Sequence, residues 1–143
     1  MNYLADVNVW VAFTLVGHTH HAAARQWFEE AKTDEILFCR VTQHGFLRLL
    51  TNARVMGANV LGAAQAWSLY DTFLTDSRVR FAAEPPGIEV AWRNATRPEH
   101  IGPNFWTDAY LAAFAMTAEV AIVTFDRGFR DHRGVQVRLL HGE

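Results

Sequence analysis

The chain contains one cysteine, Cys39, so it can form no internal disulfide. A lone thiol fits a reducing cytosol. Long hydrophobic runs are also missing. The apolar stretch from Val7 to Gly17 is too short to span a bilayer, follows Asp6, and lacks the basic start of an export signal. No membrane partner is expected, and the expected location is cytoplasmic. Repeats, low-complexity tracts and linkers are absent. The cluster Glu84-Pro85-Pro86-Gly87 reads as a turn between a strand and a helix, so residues 1–143 read as a single domain. Neither sign of charge dominates: 13 basic and 15 acidic residues give a formal charge of −2. That argues against a strongly basic nucleic-acid binder. It leaves RNA open as a substrate if Arg48, Arg54, Arg127, Arg130 and Arg133 gather on one face.

Several catalytic signatures are missing too. His18, His20, His21, His44, His100, His132 and His141 show no tight zinc spacing with Cys39. Gly57 to Gly62 lacks the lysine of a phosphate-binding loop, and no Gly-x-Ser-x-Gly elbow occurs. His20 and His21, set among alanines, are expected to be structural or solvated. The tryptophans read as core or interface, with Trp106 of note because it lies two residues from Asp108.

What is present is globular: half the residues are hydrophobic and 20% are charged. A chain of this length buries about 70% of the surface its unfolded form exposes. Periodicity predicts strands over Met1–Asp6, Glu35–Arg40, Val79–Ala83, Ala121–Phe125 and Val135–Leu140. It predicts helices over Val7–Val16, His18–Lys32, Thr42–Thr51 (with Thr42 as N-cap), Val60–Leu74, Ile88–Asn94 and Thr107–Glu119. Strands and helices alternate, so the expected fold class is α/β: a three-layer α/β/α sandwich around a mostly parallel sheet.

Sheets of this kind place their sites beyond the carboxyl ends of the strands. Asp6 ends one predicted strand, Asp126 ends another, and Asp108 lies in the first turn of a helix leading back to the sheet. Three acids distant in sequence thus fall on one rim. Carboxylates gathered this way repel, unless a cation offsets their charge. Magnesium and manganese prefer oxygen ligands. Such a site can activate water against a phosphate, as nucleases and phosphatases do. Each acid also has a local explanation. Asp108 complements a helix dipole, Asp126 suits a turn, and Asp6 suits an N-cap.

At these residues the chain resembles the PIN-domain family, and within it the VapC-type toxins of bacterial toxin–antitoxin pairs. Leu4-Ala5-Asp6-Val7-Asn8-Val9-Trp10-Val11-Ala12 resembles the first family motif and Thr42-Gln43-His44-Gly45-Phe46-Leu47-Arg48 the second. Thr107-Asp108-Ala109-Tyr110-Leu111-Ala112-Ala113 resembles the third and Val123-Thr124-Phe125-Asp126-Arg127-Gly128-Phe129 the fourth. The four stand in the family's order and cover essentially the whole chain. The resemblance implies an endoribonuclease that uses bound Mg2+, with Mn2+ as an alternative. Asp6 and Asp108 would be the principal metal ligands and Asp126 would complete the pocket. Gln43 occupies a place where many PIN domains carry glutamate. An amide can orient water but brings no charge, which argues against a second cation. Arg48 or Arg127 would hold the RNA backbone.

The resemblance also implies a homodimer and an inhibitory antitoxin. The apolar helix Val60–Leu74, with Phe46, Leu49 and Leu50 beside it, offers area for a second subunit. An acidic pocket would attract an arginine from an antitoxin tail. Two other readings of the acids remain at this point: a phosphatase or DNA nuclease, and a binding module that holds a basic peptide without turnover.

Overall fold

The computed structural model describes residues 1–97 and 102–141; His100 lies outside the described residues. Five short strands form one sheet: β1 (Tyr3–Ala5), β2 (Ile36–Phe38), β3 (Val79–Phe81), β4 (Ala121–Thr124) and β5 (Val137–Leu139). Their order is β3-β2-β1-β4-β5, and every pairing is parallel. The sheet is therefore wholly rather than mostly parallel.

Strand residues alternate between two hydrophobic layers, as the two-residue repeat of a strand requires. Leu4, Leu37 and Ile122 enter one cluster with Leu111, Phe114 and Phe129. Ala5, Ile36, Phe38 and Val123 enter the other with Trp10, Phe28 and Phe46. The second layer is covered by α1 (Val7–Thr14), α2 (His21–Glu30), α3 (Arg40–Leu50), the short α4 (Ala53–Met56) and α5 (Ala63–Leu74). The first is covered by α6 (Ile88–Ala95) and α7 (Phe105–Ala118). At the centre of the larger cluster the Trp10 ring stacks on Phe38 at 3.9 Å, and the indole N–H donates to the Ala5 carbonyl at 3.1 Å. Its one polar atom is thus satisfied inside the core.

The chain fills the sheet outward from β1 through β2 to β3, then crosses back to β4 and β5. The direction of winding reverses between β1 and β4. This topological switch point is where doubly wound sheets open a crevice. β1 and β4 are in register, with Ala5 opposite Val123, and the Asp6 amide donates to the Val123 carbonyl at 2.9 Å.

Some boundaries differ from expectation. Helix α3 begins at Arg40, capped by Cys39; Thr42 is the third helical residue, and its hydroxyl accepts the Cys39 amide at 3.0 Å. Helix α2 starts at His21 because His18 and His20 form the turn before it: the His20 amide donates to His18 Nδ1 at 3.0 Å. The segment between α3 and α5 folds into α4, capped by the Asn52 side chain on the Arg54 amide, and a 3-10 turn over Gly57–Asn59. Helix α7 begins two residues before the expected Thr107, which leaves Asp108 within its first turn.

Candidate active site

The residue after β1 is Asp6. It adopts an extended backbone and caps α1, its Oδ1 accepting the Val7 amide at 2.7 Å. Its Oδ2 accepts the hydroxyl of Thr124, the last residue of β4, at 2.8 Å. The same Thr124 oxygen accepts the Asp126 amide at 3.0 Å and the Asn8 side-chain amide at 3.4 Å. Asn8 Oδ1 in turn accepts the Phe125 amide at 3.4 Å. One fully buried hydroxyl thus ties the ends of the two central strands together and fixes two aspartates relative to each other. Asp126 is exposed, and its Oδ1 accepts the Gly128 amide at 2.8 Å. The N-cap and turn roles suggested for Asp6 and Asp126 are both realised, in the same side chains that meet at the rim.

Asp108 approaches from the first turn of α7. The helix dipole there favours an ionised carboxylate, yet the balance goes the other way. Burial, followed by the charges of Asp6 and Asp126, pushes the Asp108 carboxyl up to about 6. Asp6 is also raised, mainly by burial, with a further push from Asp126 that its two hydrogen bonds partly offset. Asp108 thus feels the charges of Asp6 and Asp126, and Asp6 that of Asp126, which is itself exposed.

Among the described residues, no group of three or more His, Cys, Asp or Glu side chains is placed to hold a metal ion. Carboxylate oxygen is nevertheless the donor type that a hard cation prefers. Magnesium commonly binds through one or two carboxylates and keeps several waters, so it requires no protein cage. Asp6 and Asp108 fit that pattern, with Asp126 within electrostatic reach.

Gln43 is buried on α3, and its Oε1 accepts from the Arg40 guanidinium. The Tyr70 hydroxyl, raised by burial, is drawn back by a hydrogen bond to the same amide. No hydrogen bond among the described residues links Gln43 to the three aspartates. Arg48 lies in the last turn of α3, eight residues and about 12 Å along the helix from Arg40, at the end remote from the rim. Arg127 directly follows Asp126 and is exposed. Thr124 and Asn8 are functional partners that sequence reasoning missed, although both lie inside the quoted motifs. The signal was their place at the strand end and in the first turn beside the acids. His20 has the structural role expected of it: its ring stacks on Phe125 at 4.5 Å, beside the loop that carries Asp126.

The PIN domain model matches residues 3–135. The chain belongs to the PIN-domain family. It is 44% identical over 142 residues to Ribonuclease VapC41 of Mycobacterium tuberculosis, covering 96% of this chain and 97% of that relative. It is 34% identical to Ribonuclease VapC38 of the same organism, covering 87% of this chain and 85% of the relative. Among solved structures, VapBC2 from Rickettsia felis, bound to a DNA fragment from its promoter, matches with a TM-score of 0.73 at 16% identity, covering 99% of this chain and 100% of that one. VapC20 of M. tuberculosis, a sarcin–ricin loop cleaving toxin, matches with a TM-score of 0.69 at 18% identity, covering 96% and 99%. The structural matches establish the PIN fold independently of sequence motifs. Asp6 and Asp126 lie at the switch point of this PIN fold, at the ends of β1 and β4.

Proposed function

We propose that the Asp6–Asp108–Asp126 rim hydrolyses RNA phosphodiester bonds with the help of a bound divalent cation, Mg2+ in the first place and Mn2+ as an alternative. The chain is an endoribonuclease, the toxin of a toxin–antitoxin pair, and its partners are RNA and a cognate antitoxin. The observation that supports the metal reading is that buried Asp6 and Asp108 stand at the rim where the Thr124 hydroxyl ties Asp6 to the Asp126 loop. Asp108 is held near 6 in part by Asp6 and Asp126, an unfavourable arrangement that a cation would relieve. When bound, the cation would polarise a phosphate oxygen and generate a nucleophilic water.

The chain's own residues divide the remaining work. Asp6 and Asp108 hold the cation. Asp126 adds charge from the exposed side and orients the incoming water. Thr124 and Asn8 keep Asp6 and the Asp126 loop aligned through the hydrogen bonds described above. Gln43 acts beside the acids, as an orienting amide. The reading includes a single nuclease domain over residues 1–143, a homodimer and a cytoplasmic location. Among the described residues no helix is long and apolar enough to cross a membrane.

Purified protein incubated with single-stranded RNA, single-stranded DNA and p-nitrophenyl phosphate tests this reading. RNA alone should be cut, with activity lost in chelator and restored by Mg2+. Equal cleavage of DNA or the ester would favour a broader phosphoesterase. Cleavage that persists in chelator would remove the cation from the account.

A further inference from the structure

Arg40 opens α3 directly beyond the carboxyl end of β2, and β2 is paired with β1, whose end carries Asp6. Neighbouring strands lie about 4.8 Å apart, so Arg40 stands on the same rim as the acids, displaced toward β3. Its side chain is exposed to solvent but held in place. One guanidinium nitrogen donates to Gln43 Oε1, and the ion lies 4.5 Å from the ring centroid of Phe81, the last residue of β3. Stacking of this kind holds a planar guanidinium without using its edge donors.

The charge of this group is not neutralised. Arg25, Arg78, Arg80 and Arg93 each pair with a carboxylate, whereas Arg40 makes no ion pair among the described residues. The difference traces to residue 43. A carboxylate there, within hydrogen-bond reach, would form a salt bridge and cancel the charge. The amide of Gln43 orients the guanidinium and leaves its charge uncompensated. Most of its five N–H donors remain open, in the planar fork that suits a phosphate.

We propose that Arg40 is an RNA-phosphate clamp on the catalytic rim, positioned by Phe81 and Gln43 and left without a neutralising partner because residue 43 is an amide. This rests on the RNA-cleaving reading and gives the Gln43 departure a role in substrate binding. It also moves the backbone contact from Arg48, which lies at the far end of α3, to the residue that begins the helix.

The test is the binding of a short fluorescein-labelled single-stranded RNA of mixed sequence. Anisotropy is followed in chelator over a KCl series. Each neutralised phosphate contributes about 0.7 to the slope of log affinity against log salt for a single strand. Arg40→Ala should bind roughly ten-fold more weakly, with the slope reduced by about 0.7. Arg40→Lys should keep the slope but bind less tightly, because it retains the charge and loses the planar stack. Gln43→Glu should lose slope as Arg40→Ala does, and should add nothing further in the double variant. A merely structural Arg40 would lower the melting temperature on substitution and leave the salt slope unchanged; that result overturns the clamp. If Arg40→Ala does not fold, Gln43→Glu decides, and a wild-type slope there also overturns it. Cleavage of the same RNA by wild-type protein with Mg2+ is read separately. Arg40-dependent binding without cleavage removes the nuclease reading and leaves the clamp. Cleavage with an unchanged KM and salt slope in Arg40→Ala removes the clamp and leaves the nuclease.

Discussion

At the scale of single residues, burial and neighbouring charge act on the acids of the rim. The Asp108 carboxyl, ordinarily near 3.8, is raised to about 6 by burial and by Asp6 and Asp126. The folded protein therefore binds a proton that the unfolded chain releases at lower pH. Stability from this group is full below about pH 4 and is lost as pH rises through about 6. Discounted for the half-exposed setting, the effect is on the order of 1 kcal/mol. In metal-free buffer at pH 7, Asp108→Asn should raise the melting temperature by about 3 °C, and the gain should vanish near pH 4; calorimetry at the two pH values checks both. Mg2+ should stabilise the wild type and stabilise Asp108→Asn much less. Thr124 offers a second residue-scale test. Thr124→Val leaves the Asp126 and Asn8 amides without their acceptor and Asp6 without its donor. It should cost about 1–3 kcal/mol of stability and lower cleavage at saturating Mg2+, while Thr124→Ser, which keeps the hydroxyl, should preserve most of both.

At the scale of elements, the close contact of α1 with α3 aligns the Asp6 cap with the Gln43 helix. Gly45 lies within α3, where glycine costs about 1 kcal/mol relative to alanine. A Cβ there would come within 2.8 Å of Val7 Cγ2, a stiff β-branched side chain. Gly45→Ala should therefore destabilise the protein by about 1–2 kcal/mol despite its better helix propensity, and Val7→Ala in the same chain should recover part of the loss; urea denaturation of the single and double variants measures this. The elements themselves were largely legible in the sequence, because alternation and helical spacing are imposed by burial. All five strands were expected, and the structure shortens each of them. Short-range side-chain bonds were less legible. Cys39 caps α3 through a reciprocal pair with Thr42, which reads from sequence as the cap itself. The turn of α4 depends on the Asn52 side chain. The acids were visible because they end strands. Thr124 and Asn8 were not given a role, because a hydroxyl and an amide have many uses until the register of β1 on β4 places them beside an aspartate.

At the scale of the whole molecule, the order β3-β2-β1-β4-β5 does the gathering. Reversing direction between β1 and β4 puts Asp6 and Asp126 side by side and sends α7, with Asp108, to the opposite face of the same rim. The near-neutral net charge is compatible with an RNA substrate because Arg40 and Arg127 stand on that rim, whereas Arg25, Arg78, Arg80 and Arg93 are paired with carboxylates. The apolar area expected to face a second subunit is mostly used internally: Phe46 and Leu50 are fully buried, while Trp67 stays 49% exposed and Val55 and Val60 remain exposed. A homodimer through this surface should be weakened by Trp67→Glu, and multi-angle light scattering at micromolar concentration should show the shift toward monomer; a wild type that is already monomeric would contradict it. Co-expression with the cognate antitoxin should abolish RNA cleavage, by an arginine entering the acidic rim, and a complex that still cuts RNA would contradict that mode of inhibition. On the proposed reading, three carboxylates at one switch point act together through a cation. Single-turnover cleavage of single-stranded RNA across a Mg2+ series, with wild type compared with Asp6→Asn, Asp108→Asn and Asp126→Asn, decides it. Metal-dependent cleavage by the wild type is expected, with a loss of about 10²-fold or more for Asp6→Asn and Asp108→Asn with the fold intact, since each removes a charge that the transition state needs, and a smaller loss for Asp126→Asn. Full cleavage by Asp108→Asn at saturating Mg2+ would contradict it.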